Sequence, residues 1–269
     1  MALSQDNLSR LFTPRREISA TLSWGISSVS AAIMLLFWCI ITYGGMVDTQ
    51  FCPTPDAVLS ALWKVIANGS LFKHAWASLV VINLGFLISS LIAVPLGLLM
   101  GSLRVVQSAL EPIVNFTRYL PVTSMIPLLI LWIGIGIEEK IAVIFIGTFF
   151  QQLVMIADVS ARVPNELLSA AYTLGATKRR ILTRILLPAS LPGIMETLRV
   201  TMGWAWTYLV VAELVASQKG LGYMSMQAMR GLHADLIFVA ILTIGFLGLV
   251  TDLLFKWFSA WALPWAGDR

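Results

Sequence analysis

A chain of 269 residues that is 58% hydrophobic and only 12% charged, with a mean hydropathy of +0.85, cannot bury its apolar side chains in one core beneath a polar surface. Its apolar runs are continuous and approach the ~20 residues that a helix needs to cross a bilayer, which excludes a soluble enzyme domain and a β-barrel alike. The net charge of +4 does not point to nucleic acid, because the basic residues lie mostly between apolar runs, where they set membrane orientation.

The pattern predicts an all-α membrane protein with six transmembrane helices. In chain order the spans fall at Ile26–Met46, Ala77–Gly101, Pro112–Ile135, Ile141–Ala161, Leu191–Val215 and Leu236–Ala260. Residues 1–25 form an N-terminal segment, 26–260 the transmembrane domain and 261–269 a short tail. The first span is too long for a secretory signal and lacks a small-residue cleavage pattern, so it is expected to remain as an anchor. After it, Pro53 and Pro55 open a stretch in which Ala57, Leu59, Leu62 and Ile66 read as a partly amphipathic turn and helix at the outer interface. The third span carries Pro121 and Pro127 among several polar residues.

Eleven of the 18 Lys and Arg residues fall on one set of connections, among them Arg15, Arg104, Lys178 and Arg184. Five fall on the opposite set, and Arg118 and Arg199 lie within spans. The richer set is expected to be cytoplasmic, which places both termini and the loop at 162–188 inside. Trp257, Trp261 and Trp265 suit the inner interfacial belt.

Chemistry-bearing motifs are scarce. Cys39 and Cys52 are separated by much helix, which disfavours a disulfide. His74 and His233 stand apart from each other and from any metal-ligand spacing, and no metal or catalytic residue is expected. No G-x-x-x-x-G-K-[ST] run occurs, so the chain binds no nucleotide by a P-loop.

The informative segment lies between Glu166 and Pro188. Ala170 and Ala171 are small, strong helix formers, and Gly175 permits a left-handed turn that ends one helix and lets a second begin. Ile181, Leu182, Ile185 and Leu186 then give that second helix an apolar stripe, with Lys178, Arg179, Arg180 and Arg184 on its polar side. Pro188 is expected to stop it before span five.

This run resembles the coupling motif of ABC-importer permeases, E-A-A-x3-G-x9-I-x-L-P. Ala170, Ala171, Gly175, Ile185, Leu187 and Pro188 fall in register, while Ser169 stands where the pattern has Glu. The likeness extends to Arg118–Leu128, to Leu131–Gly136, to Ala212-Glu213-Leu214 and to Gly220-Leu221-Gly222, in the manner of the nitrate, sulfonate, taurine and bicarbonate group. It implies a type I importer permease of the bacterial cytoplasmic membrane. Two permease subunits, expected to be identical, would enclose the pathway. Separate ABC ATPase subunits carrying ATP and Mg²⁺ would dock on the coupling loop, and an extracytoplasmic solute-binding protein would deliver a small solute, first of all an anion.

Asn115, Thr117, Arg118, Thr123 and Ser124 are the candidate pathway-lining residues of span three. For Arg118, lining and snorkelling to the inner interface both stand. Glu196 and Arg199 read as a structural pair at i, i+3, and Glu213 as a packing or gating residue. The rival class is a gradient-driven transporter or channel. It needs chained carboxylates at mid-depth, and the spans offer only Glu196, Asp252 and Asp158 near their ends.

Overall fold

A computed structural model describes residues 19–266, and every regular element among them is helical. The N-terminal arginines counted above and Arg269 lie outside the described residues. The chain divides into two compact units, the first ending at Ser60 and the second beginning at Ala61.

The first unit contains α1 (Ala20–Tyr43) and the start of α2 (Pro55–Ala67). Ser19 caps α1 by accepting the Leu22 N–H, and apolar side chains such as Trp24, Ile33, Leu36 and Phe37 are exposed along it, as befits a helix solvated by lipid. The Trp38 indole donates to the Pro53 carbonyl at 3.1 Å. The Tyr43 hydroxyl donates to the Asp56 carboxylate, and this bond, before any other influence, holds the Asp56 pKa below the usual carboxylate range.

In the second unit α3 (Ser70–Ser102), α6 (Ile137–Ala161), α9 (Leu187–Ala216) and α11 (Ala234–Ala262) are the long apolar helices. Between α3 and α6 lie α4 (Arg104–Thr117) and α5 (Val122–Ile133). Among the described residues, five helices including α1 are long and apolar enough to cross a membrane, and the α4–α5 pair makes a sixth if it is taken as one span.

The most extensive packing joins α3 to α6. Its cause is a stripe of small residues, Gly85, Ser89, Ala93, Gly97 and Gly101, spaced four apart on one face of α3. A Cβ at Gly85 or Gly97 would lie 2.8 Å from the Cβ of Ile144 or Ile156, and one at Gly101 would lie 2.2 Å from the Ala157 carbonyl oxygen. The backbones therefore approach to a distance that only such residues allow. α9 lies against both helices, with Met202, Ala205, Trp206 and Leu209 buried against Val81, Ile82, Phe86 and Ile144.

Two expectations are corrected. The third span is not one helix over Pro112–Ile135: α4 and α5 meet at 93° across Arg118–Pro121. Pro121 has no N–H to continue the ladder and pushes Leu120 out of helical geometry, so α5 restarts with Pro121 at its N-cap. Pro188 does not stop the helix before span five. One helical path runs from Lys178 to Val215, because a π turn at Leu182–Leu186 lets the Leu187 N–H reach back to the Leu182 carbonyl. Pro188 then occupies the first turn of α9, where its missing N–H costs little.

Candidate functional site

The segment between α6 and α9 folds as two helices around a tight turn. α7 (Asn165–Thr173) begins after Pro164, with Glu166 in its first turn facing the positive end of the helix dipole. It ends at Gly175, whose φ of +74° is the left-handed conformation anticipated for it. The Gly175 N–H donates to the Tyr172 carbonyl and the Ala176 N–H to the Ala171 carbonyl, both at 3.0 Å. This pair of bonds satisfies carbonyls that the end of α7 would otherwise leave open. Thr177 then leads into α8 (Lys178–Ile181) and the π turn.

One face of this segment is anchored. Val163, Leu168, Leu182, Leu186 and Leu187 pack with Leu98 of α3, Ile156 of α6 and Ile194 of α9. Ala171 and Ile181 are also buried, and Ile185 is half-buried. The other face is bare: Leu174 is 87% exposed, Tyr172 55% and Leu167 49%. Ser169, Ala170, Lys178, Arg179, Arg180 and Arg184 share that exposure. Apolar side chains gathered among cations on an open surface suit contact with a partner better than contact with water.

The residues predicted to line a pathway do not share one cavity. Asn115 opens onto a cavity of about 330 Å³ that also touches Arg104, Gln107 and Glu111 of α4, Asp158 of α6 and Asn165 of α7. Arg118 sits at the α4–α5 break beside a smaller cavity of about 60 Å³, with Thr117, Gln151 and Tyr208. Its guanidinium carbon lies 4.7 Å from the Tyr119 ring centroid, one Nη donates to the Tyr119 hydroxyl at 2.9 Å, and its Nε is buried with no partner among the described residues. The Thr117 hydroxyl is spent on the Ile113 carbonyl. Thr123 and Ser124 are exposed on the first turn of α5.

Sequence reasoning missed a buried polar ladder. Gln152 of α6 is fully buried: its Oε1 accepts from Ser89 Oγ (3.0 Å), and its Nε2 donates to Ser90 Oγ (3.2 Å) and to Thr201 Oγ1 (3.3 Å). Thr148 Oγ1 donates to Ser89 Oγ at 2.9 Å. These bonds tie α3, α6 and α9 together at mid-length. The Gln151-Gln152 pair within the apolar Ile141–Ala161 run, together with the small-residue stripe on α3, was the available signal. Glu196 and Arg199 pair as expected (2.9 Å), and Arg199 also reaches Asp252 of α11 (2.7 Å), which in turn holds Lys256.

At the far end of α9, Glu213, expected to pack or to gate, is 1% exposed. It accepts from Ser78 Oγ of α3 at 2.7 Å and from the Gly222 N–H at 2.8 Å, at the start of α10 (Leu221–Arg230).

The chain has counterparts among known proteins. Residues 93–263 match the family described as binding-protein-dependent transport system inner membrane component. The chain belongs to this family. Among its relatives, the taurine transport system permease protein TauC of Escherichia coli is 30% identical, with 90% of each chain covered. The riboflavin transport system permease protein RibX of Chloroflexus aurantiacus is 33% identical, over 85% of this chain and 88% of its own. A chain from the crystal structure of a bacterial alginate ABC transporter in complex with an alginate-pentasaccharide-bound periplasmic protein shares the fold at a TM-score of 0.59 and 15% identity, over 90% of this chain and 96% of that one. The protein is thus a multi-pass inner-membrane permease of the ABC importer type.

Proposed function

We propose that the chain is the lever and half of the pore of an ATP-driven importer for a small anion of the nitrate, sulfonate or bicarbonate kind. Separate ATPase subunits, which bind ATP and Mg²⁺, dock on residues 165–188 from the cytoplasmic side. A second copy of the permease completes the pathway, and an extracytoplasmic binding protein supplies the solute. The observation that carries this reading is the two-sided coupling segment. Leu168, Leu182 and Leu186 fix it to three long helices while Leu167, Tyr172 and Leu174 face outward. A partner that pushes on the open face moves the anchored one, and with it the spans. For ATP to drive this, the ATPases must bind one arrangement of the permease better than the other.

The anion assignment draws on the guanidinium of Arg118 at a broken span, where freed backbone groups and a fixed cation lower the cost of passing negative charge. The taurine permease among the relatives agrees with it, and the riboflavin permease shows that identity near 30% does not select a solute. With Arg104, Arg162, Lys178, Arg179, Arg180 and Arg184 on the side of the coupling segment, both termini are cytoplasmic.

One experiment tests orientation and docking together. Leu174→Cys is made in a background with Cys39 and Cys52 replaced by Ser, and an impermeant thiol reagent is applied. Labelling is expected in inside-out vesicles but not in intact cells, and bound ATPase subunits should suppress it. Labelling of intact cells sinks the orientation. Labelling that ignores the ATPase subunits sinks the docking surface.

A further inference from the structure

Three side chains from two helices grip the start of α10. The Gly220 N–H donates to Nδ1 of His74 (3.1 Å), the Leu221 N–H to Oγ of Ser78 (2.9 Å) and the Gly222 N–H to Oε2 of Glu213 (2.8 Å). Ser78 Oγ closes the set by donating to Glu213 Oε1 (2.7 Å). N–H groups at a helix start have no partner within the helix, and a carboxylate beside them is favoured by the dipole as well as by the hydrogen bond. The fit is tight. Gly220 holds a φ of +123°, and a Cβ on it would lie 2.2 Å from Glu213 Oε1. Ser78, Leu221 and Glu213 are all essentially buried, so loosening any of these bonds leaves a polar group without water to replace its partner.

Glu213 differs from His74 and Ser78 in where it stands. It lies near the outer end of the unbroken helical path of 38 residues from Lys178 to Val215, which at 1.5 Å per residue is about 57 Å long. The inner end of that path is the coupling segment. Its middle is tied to α6 by the Gln152–Thr201 hydrogen bond, and α6 is held to α3 by the Ser89–Gln152 bond and by the close backbone approach along the α3 stripe. A displacement at Leu182–Leu186 therefore arrives at Glu213 with little loss, and Glu213 is bonded to α10.

We propose that Glu213 is a positioning residue of the transport cycle: it makes α10 the rigid outer continuation of the lever, so that movement of the coupling segment is delivered to the outer face through α10. This inference rests on the coupling role of residues 165–188. Because Glu213 makes no contact with the coupling segment, its removal should leave ATP turnover intact and disconnect it from uptake.

The test uses the complete transporter, with ATPase subunits and binding protein, reconstituted in vesicles, and measures uptake and ATP hydrolysis side by side. Glu213→Ala is expected to lower uptake per ATP by roughly tenfold or more, within the usual span of coupling between two sites. Hydrolysis should stay near wild type. Glu213→Asp, which keeps both acceptor oxygens, should recover part of the ratio, and Ser78→Ala should fall between. A cysteine at Ala228, 4% exposed on α10, should react with a thiol reagent in the Glu213→Ala background and stay protected otherwise. An unchanged ratio in Glu213→Ala overturns the proposal, whether or not Ala228→Cys becomes reactive. If Glu213→Ala does not assemble, Glu213→Gln and Ser78→Ala decide the matter by the same ratio. Failure of the wild-type chain to bind ATPase subunits is a different result, which removes the coupling reading and this inference with it.

Discussion

At the coupling-segment end of the helical path from Lys178 to Val215, Leu174 is 87% exposed, and Lys178, Arg179 and Arg184 have no side-chain partner among the described residues. At the opposite end Glu213 is 1% exposed and accepts two hydrogen bonds, and the N–H groups of Gly220, Leu221 and Gly222 are all engaged. The first end is a surface that one chain leaves open; the second is closed by the chain itself. The same long helix serves both, which suits a part that receives a push at one end and carries a fixed load at the other.

The largest expected effect comes from deforming the open end. Gly175→Val places a β-branched residue at φ +74°, a strain of about 1–3 kcal/mol, with open space around the new side chain and therefore no steric remedy. The turn should reopen and shift α7 relative to the π turn, while the spans stay inserted. Uptake should then drop to background at near-normal abundance, as measured in cells with the native binding protein. Normal uptake at normal abundance would reduce residues 165–188 to a linker and erase the contrast between the two ends.

Much of this was legible in the sequence, for physical reasons that can be named. The long spans follow from uninterrupted apolar runs, and the left-handed turn at Gly175 from a glycine placed between two helix-prone stretches. What misled was proline. Pro188 lacks a donor wherever it sits, but a single π turn ahead of it rearranges the ladder so that the helix continues. Pro121 does break its span, and by 93°, because Leu120 before it is also constrained. Hydropathy along a window registers neither outcome. The Glu213 socket was beyond sequence reading for another reason: of its partners, Gly222 is 9 positions away but Ser78 is 135 positions away along the chain, and only the packing of α3 on α9 brings them together.

A smaller effect should come from the middle of the lever. Gln152→Leu removes the acceptor of Ser89 and one partner each of Ser90 and Thr201, but the last two keep bonds to the Phe86 and Thr197 carbonyls. The loss should be about 1–2 kcal/mol, since side-chain hydrogen bonds within membranes average less than their burial suggests. Thermal unfolding in detergent should begin a few degrees lower, with uptake per folded transporter little changed. If stability is untouched, the ladder does not bind α3, α6 and α9 into one body.

The smallest effect is expected at Arg118, which belongs to neither end. Its guanidinium is already engaged by the Tyr119 hydroxyl and ring, so only part of its charge is free to meet a passing solute. A pathway must also bind weakly, because a solute held tightly is not released. Arg118→Gln keeps hydrogen-bonding capacity and removes the charge. It should lower uptake of a small anion by roughly threefold while leaving ATPase attachment and ATP turnover unchanged. A loss of similar size for an uncharged solute would show that the substitution disturbs the α4–α5 break itself. No loss for any solute would make Arg118 an anchor at the break, and the anion reading would then have to rest on another residue.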